Sequence, residues 1–163
     1  KVQEAVEKWT EVKKLNTHIQ LHLIGRLQTN KVKFAVKLFD YIHSVDSQRL
    51  AKKISDESSK LNKKIKIFIQ VNIGDETQKS GVNKKELDSL VNYCLKLNLE
   101  LIGLMCIPPE GEDPSKYFIE MNQLNHKFEL LDLSMGMSGD YLKAVENSST
   151  FLRIGSSIFG QRN

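Results

Sequence analysis

Apolar residues at Val2, Ala5, Val6, Trp9 and Val12 recur at steps of three and four, so the chain begins on an amphipathic helix already under way. IQLHLIGRL (19–27) then predicts a strand, and NKVKFAVKLF (30–39) a helix that Asn30 is placed to cap. YIHSVD (41–46) predicts a short strand, 46–60 a helix, and KIKIFIQVNI (64–73) the clearest strand, alternating and rich in β-branched residues. After the loop GDETQKSGV (74–82), helical spacing returns over 84–97 through Leu87, Leu90, Val91, Cys94 and Leu95. LELIGLMCI (99–107) is a nearly continuous apolar strand stopped by Pro108 and Pro109. Tyr117, Phe118, Met121, Leu124 and Phe128 mark the next helix, followed by a strand at 129–137, a short helix at 141–149 and a last strand at 151–160.

Strands alternating with helices over short connections point to parallel strands joined by right-handed crossovers, in a single domain spanning 1–163. Two architectures satisfy that pattern: an open doubly wound sheet, for which six strands suffice, and a (β/α)8 barrel, for which six are two too few. Neither GxGxxG nor GxxxxGK[ST] occurs. Glycines and polar residues gather instead where strands end, at Gly25 and Arg26, Asn72 and Gly74, Met137 to Asp140, and Gly155 to Ser157. Both architectures place their chemistry there.

Composition narrows the function classes. Of 163 residues 27% are charged, and the net charge of +4 is spread among 20 acids rather than gathered in blocks, which reads as a solvated surface. With 7% aromatics and no basic–aromatic interleaving, a nucleic-acid platform is not supported. No apolar run is long enough to span a bilayer, and KVQEAVEKW has no signal-peptide pattern. The two cysteines, Cys94 and Cys106, stand at no metal-ligand spacing, so reduced thiols in a cytoplasmic protein are expected.

The chemistry-bearing candidates lie late in the chain. Ser138 and Gly139 after the penultimate strand, with Gly155, Ser156 and Ser157 in the last, suit one phosphate monoester, because glycine admits close backbone approach and N–H and hydroxyl groups donate. Packing and turn formation explain the same residues about equally well. Arg153 stands in an otherwise apolar strand, and a cation there needs an acceptor, either a buried carboxylate or a ligand. Lys79 and Lys31 are loop lysines, better read as solvated than as anion-binding or nucleophilic groups. His22 and His43 are expected to be hydrogen-bonded packing residues, His18 and His126 surface residues, and Met105, Met135 and Met137 core. No triad order, HExxH or paired-carboxylate motif supports a hydrolase.

HLIGRLQTNKVK (22–33), IHSVDSQRLA (42–51), IQVNIGDETQKSGV (69–82), GLMCIPP (103–109) and LSMGMSGDYLKAVENSSTFLRIGSSIFGQR (133–162) resemble, in register, the pyridoxal phosphate homeostasis protein family, the YggS/PROSC-like proteins. The resemblance implies a (β/α)8 TIM-type barrel of the alanine racemase N-terminal kind, with only its last six strands in this chain, binding pyridoxal 5′-phosphate (PLP) at the C-terminal rim. It implies phosphate ligands at Ser138, Gly155 and Ser156, Arg153 facing the pyridine nitrogen, and a supporting role for Lys79. The lysine that carries PLP as a Schiff base in the family falls on a strand before Lys1, so no residue here matches it and covalent binding by this chain is not expected. That gap, and the open sheet edges it implies, lead to the expectation that the chain is a piece of a longer protein. The implied role is non-catalytic: a PLP carrier and regulator, monomeric when complete, with PLP-dependent apo-enzymes as recipients. A racemase-like PLP enzyme and a phosphate-binding barrel enzyme are the alternatives.

Overall fold

The computed structural model describes residues 2–77 and 80–160. The opening stripe forms α1 (Val2–Leu15). There follow β1 (His22–Leu23), a 3-10 turn (Thr29–Lys31), α2 (Val32–Leu38), β2 (Tyr41–Val45), α3 (Gln48–Lys60) and β3 (Lys66–Val71). Next come α4 (Lys84–Lys96), β4 (Glu100–Cys106), α5 (Ser115–Lys127), β5 (Asp132–Met137), α6 (Tyr141–Glu146), β6 (Phe151–Arg153) and a single helical turn, α7 (Ser156–Phe159).

Local chemistry sets several of these boundaries. The Ser47 hydroxyl accepts the Leu50 N–H at the start of α3, and the Asn83 side chain accepts the Lys85 N–H at the start of α4. Helices α3 to α6 end in the same way, with Asn62, Asn98, Glu129 and Ser148 at positive φ. The following N–H bonds back across the last turn in each: Lys63 to Ser58, Leu99 to Cys94, Leu130 to Asn125 and Ser149 to Ala144. This closure turns the chain sharply toward the next strand.

Among the described residues six strands pair in parallel, in the order β1-β2-β3-β4-β5-β6. A doubly wound sheet reverses its order at a switch point, whereas sequential winding is the barrel pattern. The sheet is also strongly curled. Laid flat, β1 and β6 would stand five strand spacings apart, roughly 24 Å. Yet the His22 ring on β1 lies 5.8 Å from the Phe151 ring on β6. The six strands are therefore an arc of a barrel, as the resemblance implied.

The two faces of this arc differ. On the convex face Ile42, Ile67, Ile69, Leu104, Cys106, Leu133 and Met135 bury against helix residues such as Ile54, Leu87, Leu90, Phe118 and Met121. On the concave face Tyr41, Phe68 and Met105 form a smaller cluster with Ile102 and Phe151. No helix among the described residues is long and apolar enough to cross a membrane.

Three boundaries depart from expectation. The strand predicted at 19–27 pairs only at His22 and Leu23, because it lies at the sheet edge beside β2 alone and Leu21 O instead receives the N–H groups of Asp40 and Tyr41. Asn30 does not cap α2, which begins at Val32 after the 3-10 turn with no side-chain cap. The strand predicted at 151–160 stops at Arg153: the Gly155 carbonyl takes the N–H groups of Ile158 and Phe159, and the chain coils into α7.

Candidate functional site

β5 is shaped to deliver Ser138. Gly136 has φ +93, and a Cβ there would stand 2.6 Å from the Ala144 Cβ and 3.1 Å from Leu152 Cδ2. Only glycine supplies that conformation and that close approach of strand to helix. Met137 N–H then donates to Asp140 Oδ1 at 2.6 Å, closing the turn that carries Ser138 and Gly139. Opposite, β6 ends at Arg153, and Gly155 opens the helical turn. The two ends meet: Ser138 Oγ accepts the N–H of Gly155 and the N–H of Ser157, each at 3.3 Å.

Ser138, Gly155, Ser156 and Ser157 thus stand together at the C-terminal rim. The N–H groups of Gly155 and Ser157 converge on the Ser138 hydroxyl, and converging neutral donors are the arrangement that anionic oxygens take. A Cβ added at Gly139 or Gly155 would meet nothing within 4 Å, so the surroundings on that side are open. Alongside lies a cavity of about 610 Å³, lined in part by Pro108, Glu112, Met137, Asp140 and Lys143.

Arg153 is half-buried, and its side-chain bonds go to neutral groups rather than to a carboxylate. Nη1 donates to Ser134 Oγ at 2.9 Å and Nη2 to the Cys106 carbonyl at 2.8 Å. Burial lowers its pKa, yet a guanidinium stays protonated at any physiological pH. Neutral acceptors hold the group without cancelling its charge. Ser134, which the sequence reading passed over, is fully buried and leads further into the arc. Its Oγ lies 2.8 Å from His43 Nδ1, and His43 Nε2 lies 3.0 Å from His22 Nδ1. His22 stacks on Tyr41 at 4.0 Å between ring centroids, and His43 on Phe68 at 4.3 Å. Burial, with His22 and cationic Arg153 beside it, pushes the His43 imidazole down to about 3; burial also lowers His22.

Both inward histidines are hydrogen-bonded packing residues, as expected, while His18 and His126 are exposed. Met105 and Met135 are buried, but Met137 is exposed at the rim. Lys79 lies outside the described residues. Among the described residues no group of three or more His, Cys, Asp or Glu could hold a metal. Cys94 and Cys106 are buried and unpaired with one another, their thiols pushed up to about 12 by burial.

A family model for the alanine racemase N-terminal domain matches residues 2–163. The pyridoxal phosphate homeostasis protein of Aquifex aeolicus (strain VF5) is 40% identical over 172 residues, covering 99% of this chain and 75% of that protein. The protein of the same name from Escherichia coli (strain K12) is 37% identical, covering 99% of this chain and 74% of its own. The chain belongs to the pyridoxal phosphate homeostasis protein family. Among solved structures, PipY of Synechococcus elongatus PCC7942 without PLP superposes with a TM-score of 0.84 at 33% identity, covering 98% of this chain and 79% of PipY. The same protein with PLP bound gives 0.83 at 32%, with the same coverage. Alanine racemase of Clostridium difficile 630, at 16% identity and a TM-score of 0.68, shares the fold. This chain brings its late glycine–serine motifs to one end of a parallel, curled sheet. His43 was visible in the sequence as a polar residue within a short strand, whereas Ser134 is a small residue that no pattern marked.

Proposed function

We propose that this chain binds PLP non-catalytically at the C-terminal rim of the arc and serves as a carrier and regulator of that cofactor. The single observation that carries the reading is the convergence of the Gly155 and Ser157 N–H groups on Ser138 Oγ, on the strand next to a guanidinium held by neutral acceptors. The donor set fits the group. Ser138, Gly155 and Ser156 would hold the phosphate, which accepts hydrogen bonds and donates none when ionised. Arg153 would meet the ring nitrogen.

That last contact has a chemical consequence. A guanidinium has only donors, so a ring nitrogen opposite it must accept and must remain unprotonated. An unprotonated ring is a weak electron sink, and carbanion chemistry depends on a strong one. Arg153 therefore supports binding without turnover. When bound, PLP supplies an aldehyde able to capture amines. Its bound population would serve PLP-dependent apo-enzymes as recipients, from a monomer in the cytoplasm. Lys79 has the supporting role that its motif implies, and covalent attachment is assigned to no described lysine.

Spectral titration of the intact protein with PLP tests the reading. Saturable binding is expected, weakened about 10- to 100-fold by Ser138→Ala, the scale of lost hydrogen bonds to a charged group. Binding unaffected by both Ser138→Ala and Arg153→Ala would place PLP elsewhere, and no binding at all would end the proposal. Amino-acid racemisation above background would overturn its non-catalytic part.

A further inference from the structure

The polar chain that runs inward from Arg153 has a direction. Ser134 Oγ receives Arg153 Nη1–H, so its own hydrogen must go to a different acceptor, and His43 Nδ1 is the other group within hydrogen-bond distance, at 2.8 Å. His43 then carries its proton on Nε2 and donates it to His22 Nδ1, 3.0 Å away. His22 in turn carries its proton on its own Nε2. The reverse order would leave the Ser134 hydrogen without a partner at a fully buried site. Four side chains on four strands are thus linked by three bonds that all run one way, from the rim into the arc, and successive bonds in such a chain polarise one another.

We propose that Ser134, His43 and His22 are positioning residues that fix the Arg153 guanidinium in the plane and direction required to meet an unprotonated aromatic ring nitrogen. The proposal rests on the PLP reading above. Arg153 reaches the site on a three-residue strand at the sheet edge, and one bond to the Cys106 carbonyl would leave it free to swing about that contact. The second bond, to Ser134, removes that freedom. Ser134 can be a fixed acceptor because His43 takes its hydrogen, and His43 is itself pinned by its stack on Phe68 and its bond to His22. No carboxylate takes part in these hydrogen bonds; Asp140 acts on the guanidinium only through its field.

The test compares PLP with its 1-deaza analogue, in which the ring nitrogen is replaced by CH, on the intact protein. Ser134→Ala should weaken PLP about tenfold, the order expected when a buried donor loses its acceptor, and leave the analogue within about twofold. Ser134→Thr, which keeps the hydroxyl, should restore the wild-type ratio. Nitrogen-15 NMR of the ligand-free protein should show both His22 and His43 as the Nε2–H tautomer, with the His43 Nδ1 resonance moved by Ser134→Ala. Equal weakening of both ligands would mean a merely structural role and would overturn the proposal, as would an Nδ1–H tautomer at His43. A wild type that binds neither compound would sink the PLP reading, and the proposal with it; binding that survives with no change in ratio sinks the positioning role alone.

Discussion

Replacing Gly136 by alanine is the sharpest perturbation of the site's scaffold. At φ +93 an L-residue is strained, at a cost of about 1–3 kcal/mol. The added methyl would stand 2.6 Å from the Ala144 Cβ, where carbon atoms prefer about 3.5–4.0 Å. Ala144 is fully buried in α6, so relief requires moving the helix off β5, and forced overpacking of this kind costs about 1–3 kcal/mol more. Together these give a loss of about 2–6 kcal/mol, a large part of the roughly 5–15 kcal/mol typical of a domain. Gly139, three residues on, is the comparator: an added Cβ meets nothing within 4 Å, and its φ lies outside the left-handed region. Gly139→Ala should stay within about 0.5 kcal/mol of the parent. Denaturant unfolding of the purified protein followed by circular dichroism measures both. A Gly136→Ala midpoint equal to the parent's, or an equal loss at Gly139, would refute the argument that β5 is shaped by this contact.

Three further outcomes are expected. His43 is held down to about 3 in the fold against an ordinary 6.5, so the unfolded chain binds more protons below pH 6.5 and stability falls as pH drops through that range. From neutrality to about pH 5 the loss is about 2 kcal/mol, His22 adding in the same direction, and His43→Phe should flatten the slope; a parent curve flat over that interval would contradict it. Glu129 sits at φ +55 in an exposed helix-terminating turn, so Glu129→Gly should raise stability by up to about 1 kcal/mol in the same unfolding assay, the relieved strain being partly offset by added chain entropy. Cys94 and Cys106 should resist a thiol reagent at neutral pH until denaturant is added, since both are buried with thiols pushed up to about 12; modification of either in the native protein within minutes would show that it is accessible.

The alternation of apolar stripes told helix from strand as far as β6, because α1 to α6 each bury apolar residues and the strands lie between helices and the concave interior. It failed at the two outer strands for one reason. Periodicity reports which residues can be buried, whereas strand length depends on a neighbour to pair with, and β1 and β6 each have one. The resemblance pointed to the barrel, and the curl is visible only in space, where rings from β1 and β6 meet. Ser138, Gly155 and Ser156 stood out as glycine and serine in series after two strands, a pattern that packing and turn formation explain about equally well, and the structure brings Ser138 and Gly155 together. The holders of Arg153 did not stand out. One is a main-chain carbonyl, at Cys106, which no side-chain pattern marks, and the other is Ser134, a small residue in an apolar run.

One regularity ties the concave lining to the rim. β2 carries Tyr41 and then His43, β3 Phe68 and then Gln70, and β6 Phe151 and then Arg153. Residues two apart in a strand share a face, so on three strands an aromatic ring is followed, one step nearer the C-terminal end, by a polar side chain. In a curled sheet these steps become two levels. The lower level packs ring on ring, with Phe151 touching Tyr41 and Phe68 at 5.8 and 5.2 Å. The upper level cannot be apolar if it is to hold a polar ligand, and cannot be charged throughout without paying several kcal/mol for each unpaired ion. Histidine held neutral, glutamine and serine satisfy both limits and leave Arg153 as the single cation of this set. The aromatic cluster buries one side of that charge's surroundings, and the neutral groups bonded in line with it decide where the charge points.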